Sequence, residues 1–163
     1  TYTETVTVNK DVTILGANAG IAGTSESRVA ESIVSGGFFV SANGVTLDGL
    51  KISQGVLING EIAGVYVAAD GVLITNMLIT RSGAQDTSNG ILTATSTSDN
   101  LTVSNSLISG FLRGVFLNPG SENVVINANT FSVNGVGVAN DGFDATDSYT
   151  SNTFNAQTLE ALA

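Results

Sequence analysis

The sequence predicts an all-β chain wound as a solenoid of short parallel strands, a parallel β-helix of about five to six coils. Three observations carry that prediction. The segment GVTLDGLKI from Gly44 recurs as GVLITNMLI from Gly71, NLTVSNSLI from Asn100 and NVVINANTF from Asn123, with weaker copies at Asp11 and ending at Phe154. A second series runs in phase with it: GFFV from Gly37, GVYV from Gly64, GILTA from Gly90, GVFLN from Gly114 and GVGVA from Gly135. Within the copies apolar residues alternate at period two, as in Val45 and Leu47, Val72 and Ile74, Leu101 and Val103, Val124 and Ile126. Such alternation marks strands with one buried face, and repetition at intervals of a few tens of residues marks stacked units.

The corners between strands follow from residue type. Gly49, Asn76 and Asn105 come after the alternating pairs, with Asn129 one place later in the next copy. Gly and Asn tolerate the left-handed backbone of a sharp corner, whereas β-branched residues resist it. Strands joined by such corners stack at about 4.8 Å per coil, so Val45, Val72, Leu101 and Val124 should line up in one interior column. A β-sandwich would not need the pattern to recur in register, and a βαβ fold would need amphipathic helices for which the Gly-, Ser- and Thr-rich stretches leave no room.

The chain opens directly on an alternating strand, TYTETVTV, with Val6 and Val8 on one side and Thr5 and Thr7 on the other. An uncovered first strand is an unpaired sheet edge, so residues 1–163 read as one domain cut from a longer protein and lacking its N-terminal cap. The same edge is a place for self-association or module stacking. Three longer excursions, 17–32, 54–63 and 82–89, interrupt the repeat, and insertions of this kind commonly carry binding. At the C-terminus, AQTLEALA (156–163) is a short helix-prone run, with Leu159 and Leu162 on one side, that would cap the last coil.

Composition limits the chemistry. The 163 residues hold 14 acids against 5 bases, a formal net charge of -9, which repels phosphate backbones and anionic lipid, so neither nucleic acid nor a membrane is an expected partner. No apolar run is long enough for a membrane-spanning helix. His and Cys are absent, which removes imidazole acid-base chemistry, thiolate nucleophiles, disulfides and the usual zinc ligands.

The opening TYTETVTVNKDVTILGANAG, with repeats such as GVTLDGLKIS and NVVINANTF, resembles right-handed parallel β-helix proteins of the pectin-lyase-like group over nearly the whole chain. It is most similar to repeat modules of large secreted or surface proteins of bacteria. The resemblance implies the fold and a right-handed winding, and an extracellular or cell-surface location. It does not choose among lyase, esterase, epimerase and non-catalytic adhesin segments.

Candidate site residues are few. Gln85-Asp86-Thr87 follows a repeat strand much as a similar tripeptide does in pectin methylesterases, where the resemblance implies an Asp general acid and a Gln holding the oxyanion. The next turns, LTVSNSLISGFLRGVFLN, offer no second Asp as nucleophile, and one carboxylate cannot divide the two roles. Of the five bases only Arg113, beside the strand GVFLN, falls near an expected groove. Asp48 and Asp70 could be the carboxylate pair of a glycosidase, but they sit on different elements and no Trp accompanies them. Asp141, Asp144 and Asp147, with Asn140, could supply oxygen ligands to Ca²⁺, although without EF-hand spacing. Thr3, Thr5 and Thr7 and Thr93, Thr95 and Thr97 stand too far apart to form one ice-binding face and read as solvent-side strand residues. The sequence is thus expected to encode a non-catalytic, rigid solenoid module for spacing, adhesion or assembly, without a resident cofactor unless Ca²⁺, and with a polysaccharide as a conceivable partner. The alternative is a carbohydrate-active enzyme whose site lies on the insertions.

Overall fold

The structure, a computed structural model, describes residues 1–82, 87–95, 98–142 and 144–158, and the backbone of 160–162. It is the expected parallel β-solenoid. The chain visits three sheets in turn and returns to the first one coil later. The first sheet stacks Val6–Val8, Phe38–Val40, Glu61–Val67, Ser88–Thr93, Arg113–Leu117, Val136–Asn140 and Glu160–Leu162. The second stacks Thr13–Leu15, Thr46–Asp48, Leu73–Thr75, Thr102–Ser104, Val125–Asn127 and Ser148–Thr150. The third stacks Ile33–Val34, Lys51–Ile52, Leu78–Thr80, Leu107–Ser109, Thr130–Ser132 and Thr153–Asn155. All these pairings are parallel; the hairpin strand Val56–Ile58, antiparallel to the start of Glu61–Val67, is the exception.

The interior is built from columns of like side chains. Leu47, Ile74, Val103 and Ile126 are paired rung to rung, and all four are fully buried. Val45, Val72, Leu101 and Val124 form the predicted neighbouring column, each next to a ladder hydrogen bond that ties its coil to the following one. Ile52, Ile79, Ile108 and Phe131 line the third sheet. Shielding on all three sides is complete for about four coils. The first and last coils are end rungs whose inner residues Val6, Ile14, Tyr149 and Phe154 are only half-buried, so the expected five to six closed coils is an overcount. An end rung has a neighbour on one side only.

Two corners use left-handed residues in register. One is Gly44, Gly71, Asn100 and Asn123; the other is Gly49, Asn76, Asn105, Ala128 and Ser151. Asn129 is therefore not the corner residue of its copy. Ala128 takes the left-handed turn, with φ 55°, and Asn129 points inward, its Oδ1 accepting from Ser106 N and its Nδ2 donating to Val103 O. A third bend, within the strands of the first sheet, is a column of glycines with no room for side chains. A Cβ on Gly64 would lie 2.6 Å from Gly90 O and 2.8 Å from the Ile79 side chain, and one on Gly90 2.5 Å from both Gly114 O and the Ile108 side chain. Register places Gly137, not Gly135, at the end of this column, since Val115 pairs with Val138.

The C-terminal run is a strand where the sequence suggested a helix. Glu160–Leu162 pairs with the first sheet, Val136 opposite Glu160 and Val138 opposite Leu162. Eight residues are too few for a stable isolated helix, while the open sheet edge offers ready-made backbone partners. Leu159 lies outside the described residues. The excursions also behave differently from one another. Residues 17–32 form a strap along the second corner: Gly23 N donates to Asn105 O, Arg28 Nη1 to Ile21 O and Asn76 O, and Asn18, fully buried, exchanges hydrogen bonds with Val29. Residues 54–63 contain the hairpin, turning at Asn59 and Gly60, both with positive φ.

Candidate outer-face groove

The glycine column decides where a concave surface forms. Backbones that stack without Cβ atoms let the chain bend sharply, and the residues on either side of the bend both point outward and converge. On one side stand Ala63, Asn89, Arg113 and Val136, on the other Tyr66, Leu92, Phe116 and Ala139, each set paired in register. They make a second apolar cluster outside the solenoid, of Ala63, Leu92, Phe116 and Ala139 with Val56, Tyr66 and Val136 packed against it. Phe39 and Tyr66 extend it as a stacked pair with ring centroids 5.4 Å apart and planes at 14°.

The hairpin turn forms a wall, and a cavity of about 210 Å³ opens between it and the sheet, lined by Asn59, Glu61, Tyr66, Leu92, Phe116 and Asn118 among others. Its charged group is Glu61. Nη2 of Arg113 lies 3.3 Å from both carboxylate oxygens, and Nδ2 of Asn89 donates to Oε2 at 2.7 Å. The guanidinium also covers the Phe116 ring, Cζ 3.8 Å from the centroid. Arg113 Nε and Asn89 Oδ1 are buried without a protein partner. The result is an amphipathic floor on which the Glu61 carboxylate is paired with a cation held over an aromatic ring.

The other sequence candidates separate in space or in role. Gln85 and Asp86 lie outside the described residues. Asp48 Oδ1 accepts from Gly20 N and Asn76 Nδ2, binding the strap, while Asp70 Oδ1 accepts from the backbone of Ser98 and Asp99 at the first corner. Asp144 accepts from the amide and hydroxyl of Thr146, and these bonds hold its carboxyl below the ordinary carboxylate range. Asp147 turns inward: its oxygens accept from Val124 N, Asn140 Nδ2 and the Tyr149 hydroxyl. Asp141 is exposed, and its amide completes the ladder to Leu117 O. No group of three or more acidic side chains is gathered for a metal among the described residues. Thr93 is not on the solvent side; it is fully buried and its Oγ1 accepts from Asn118 N. Thr97 lies outside the described residues.

Glu61, Asn89, Tyr66 and Phe116 were not singled out from sequence. The signal that could have found them is the outward position just after the first inward apolar residue of the glycine-led series (Phe38, Val65, Ile91 and Val115), where Phe39, Tyr66, Leu92 and Phe116 repeat a large apolar side chain. No family model, no curated protein and no solved structure gives a significant match to this chain. No helix among the described residues is long and apolar enough to cross a membrane.

Proposed function

We propose that the chain is a non-catalytic, rigid solenoid module of an extracellular or cell-surface protein, of the pectin-lyase-like kind, which holds its outer-face groove at a fixed position for a polysaccharide. The observation that carries this reading is the state of Glu61. Both its oxygens are engaged by Arg113 and one also by Asn89, so the carboxylate is occupied as the acceptor of these donors and not directed into the cavity as a free base. Glycosidic hydrolysis divides its work between two carboxyl groups, and among the described residues Glu61 is the carboxylate that lines this cavity. The apolar floor with amide and carboxylate groups at its margin suits a ring that is hydroxylated at its edge and apolar on its face.

Rigidity follows from the same ladders. Each sheet carries backbone hydrogen bonds from coil to coil, so the groove cannot open without breaking many of them together. The test is incubation of the chain with polygalacturonate, alginate and neutral glucans. We expect retention on at least one polymer in affinity electrophoresis and no new reducing or unsaturated ends. Turnover of any of them sinks the non-catalytic reading and favours the enzyme alternative, for which the Arg113–Glu61 pair would be the starting point.

A further inference from the structure

The charges at the groove bear on which polysaccharide it takes. A uronate polymer carries a carboxylate on every sugar, and a carboxylate that loses water against an apolar floor needs a cation in its place. Arg113 is the residue type for that task, since the forked donors of a guanidinium match a carboxylate. Here the task is filled from within the chain. The turn at Asn59 and Gly60 sets Glu61 at the head of its strand, and Asn89, on the coil between, is paired in register with both Ala63 and Arg113. Arg113 Nη2 lies 3.3 Å from each Glu61 oxygen, Asn89 Nδ2 donates to the same carboxylate, and the guanidinium rests on the Phe116 ring. The Glu61 side chain is exposed by 33% and lines the cavity, whereas that of Arg113 is exposed by 20% and does not.

A polyuronate entering this groove therefore meets a carboxylate first and a cation already paired. Among the described residues that line the cavity the other polar ones, Asn59, Thr95 and Asn118, are neutral, and residues 1–163 carry a formal net charge of -9 that repels a polyanion further. A neutral glycan meets none of these costs. Its hydroxyls exchange hydrogen bonds with carboxamide and hydroxyl groups and accept or donate as each requires. We infer that the groove selects a neutral glycan, and that Glu61 sets this specificity by holding Arg113 as the carboxylate of a uronate sugar would. The inference rests on the groove binding a polysaccharide and adds which class it takes. It also predicts a latent anion site: without the Glu61 charge, Arg113 becomes an unpaired cation beside the same apolar floor.

The test is affinity electrophoresis of the chain and its variants through gels holding a neutral glucan, polygalacturonate or alginate. The parent chain should be retained by the glucan at least about tenfold more strongly than by either polyuronate. Glu61→Gln should shift that ratio toward polygalacturonate, with the gain fading as salt is raised, and Arg113→Met added to Glu61→Gln should abolish the gain. Circular dichroism shows which variants are folded, and Glu61→Ala removes the same charge by a second route if Glu61→Gln is not. Retention of the parent by a polyuronate as strong as by the glucan overturns the inference and leaves the groove a polysaccharide site. Retention by no polymer overturns the groove reading, and this inference with it. A folded variant without the Glu61 carboxylate whose ratio is unmoved, or a gain that survives Arg113→Met, overturns the role given to Glu61, because a merely structural carboxylate would not change which charge of polymer is held.

Discussion

The middle coils and the end coils are made of the same repeat, yet they are held by different balances. In the middle, Ile74, Ile79, Val103 and Ile108 are enclosed by a neighbour above, a neighbour below and two other sheets. In the first and last coils of residues 1–163 the inner residues Ile14 and Phe154 are half-buried, and the last coil carries the polar cluster of Asn140, Asp147 and Tyr149 where the first carries Val8, Val12 and Ile14. A solenoid is thus not uniformly stable along its axis. Each coil's contribution depends on how many of its faces another coil covers.

The largest effect should come from the glycine bend of the middle coils. Gly90→Ala places a methyl group 2.5 Å from a backbone oxygen that belongs to the next coil's ladder and equally close to Ile108. Neither can move alone, so we expect a loss of about 3 kcal/mol or more, read by chemical denaturation. Gly20 gives the contrast, because a Cβ there meets nothing within 4 Å, although its φ of 76° retains a strain of about 1 kcal/mol for Ala. If both substitutions cost the same, the close stacking of the bend is not what limits it.

Side-chain truncation sharpens the comparison of middle with end. Ile79→Ala empties a site walled on every side and should cost about 3–4 kcal/mol. Ile14→Ala removes a half-buried side chain from the first coil and should cost about 1 kcal/mol. Urea titrations of the two variants measure the difference. Equal losses would mean that position along the axis does not set how much a coil contributes.

How much of this was legible beforehand depends on whether the cause was local. The column Val45, Val72, Leu101 and Val124 could be read because alternation and spacing are written in consecutive residues. The strand Glu160–Leu162 could not, because helix propensity is a local preference and the sheet edge that overrides it belongs to a coil some twenty residues earlier. The groove was only half legible. Arg113 stood near an expected cleft, but its partner Glu61 comes from an insertion that precedes it by two coils, and register across coils is invisible until the insertion lengths are fixed. The inward role of Asp147 was hidden for the same reason: an acidic residue in a loop and an acidic residue bonded to its own core look alike in sequence.

The polar closure of the last coil gives a smaller effect. Asp147→Ala leaves Val124 N and the Tyr149 hydroxyl without their acceptor and Asn140 Nδ2 with Tyr149 alone, so we expect a loss of about 2 kcal/mol. Burial, together with the Asp147 charge, pushes the Tyr149 hydroxyl up to about 12, the Asn140 hydrogen bond opposing. Removing Asp147 should lower that value, which ultraviolet titration of tyrosinate detects. An unchanged titration would mean that burial alone sets it.

The smallest effect should be the acid dependence of the strap. Burial alone would raise the Glu31 carboxyl, but the hydrogen bonds from Arg28 and Asn18 and the charges of Arg28 and Lys51 outweigh it and hold its pKa below the usual value. A carboxyl whose folded pKa lies below its unfolded one adds stability above the unfolded value, about 4.3 for Glu, and loses it as pH falls through the folded pKa. Glu31→Gln should therefore be less stable than the parent at pH 7 and equal to it once both carboxyl states are protonated. Denaturation of the two chains at pH 7 and near the acid limit measures the closing gap. A gap that stays constant assigns the role of Glu31 to packing of the strap and removes the charge from the account, because a purely steric contribution does not change with protonation.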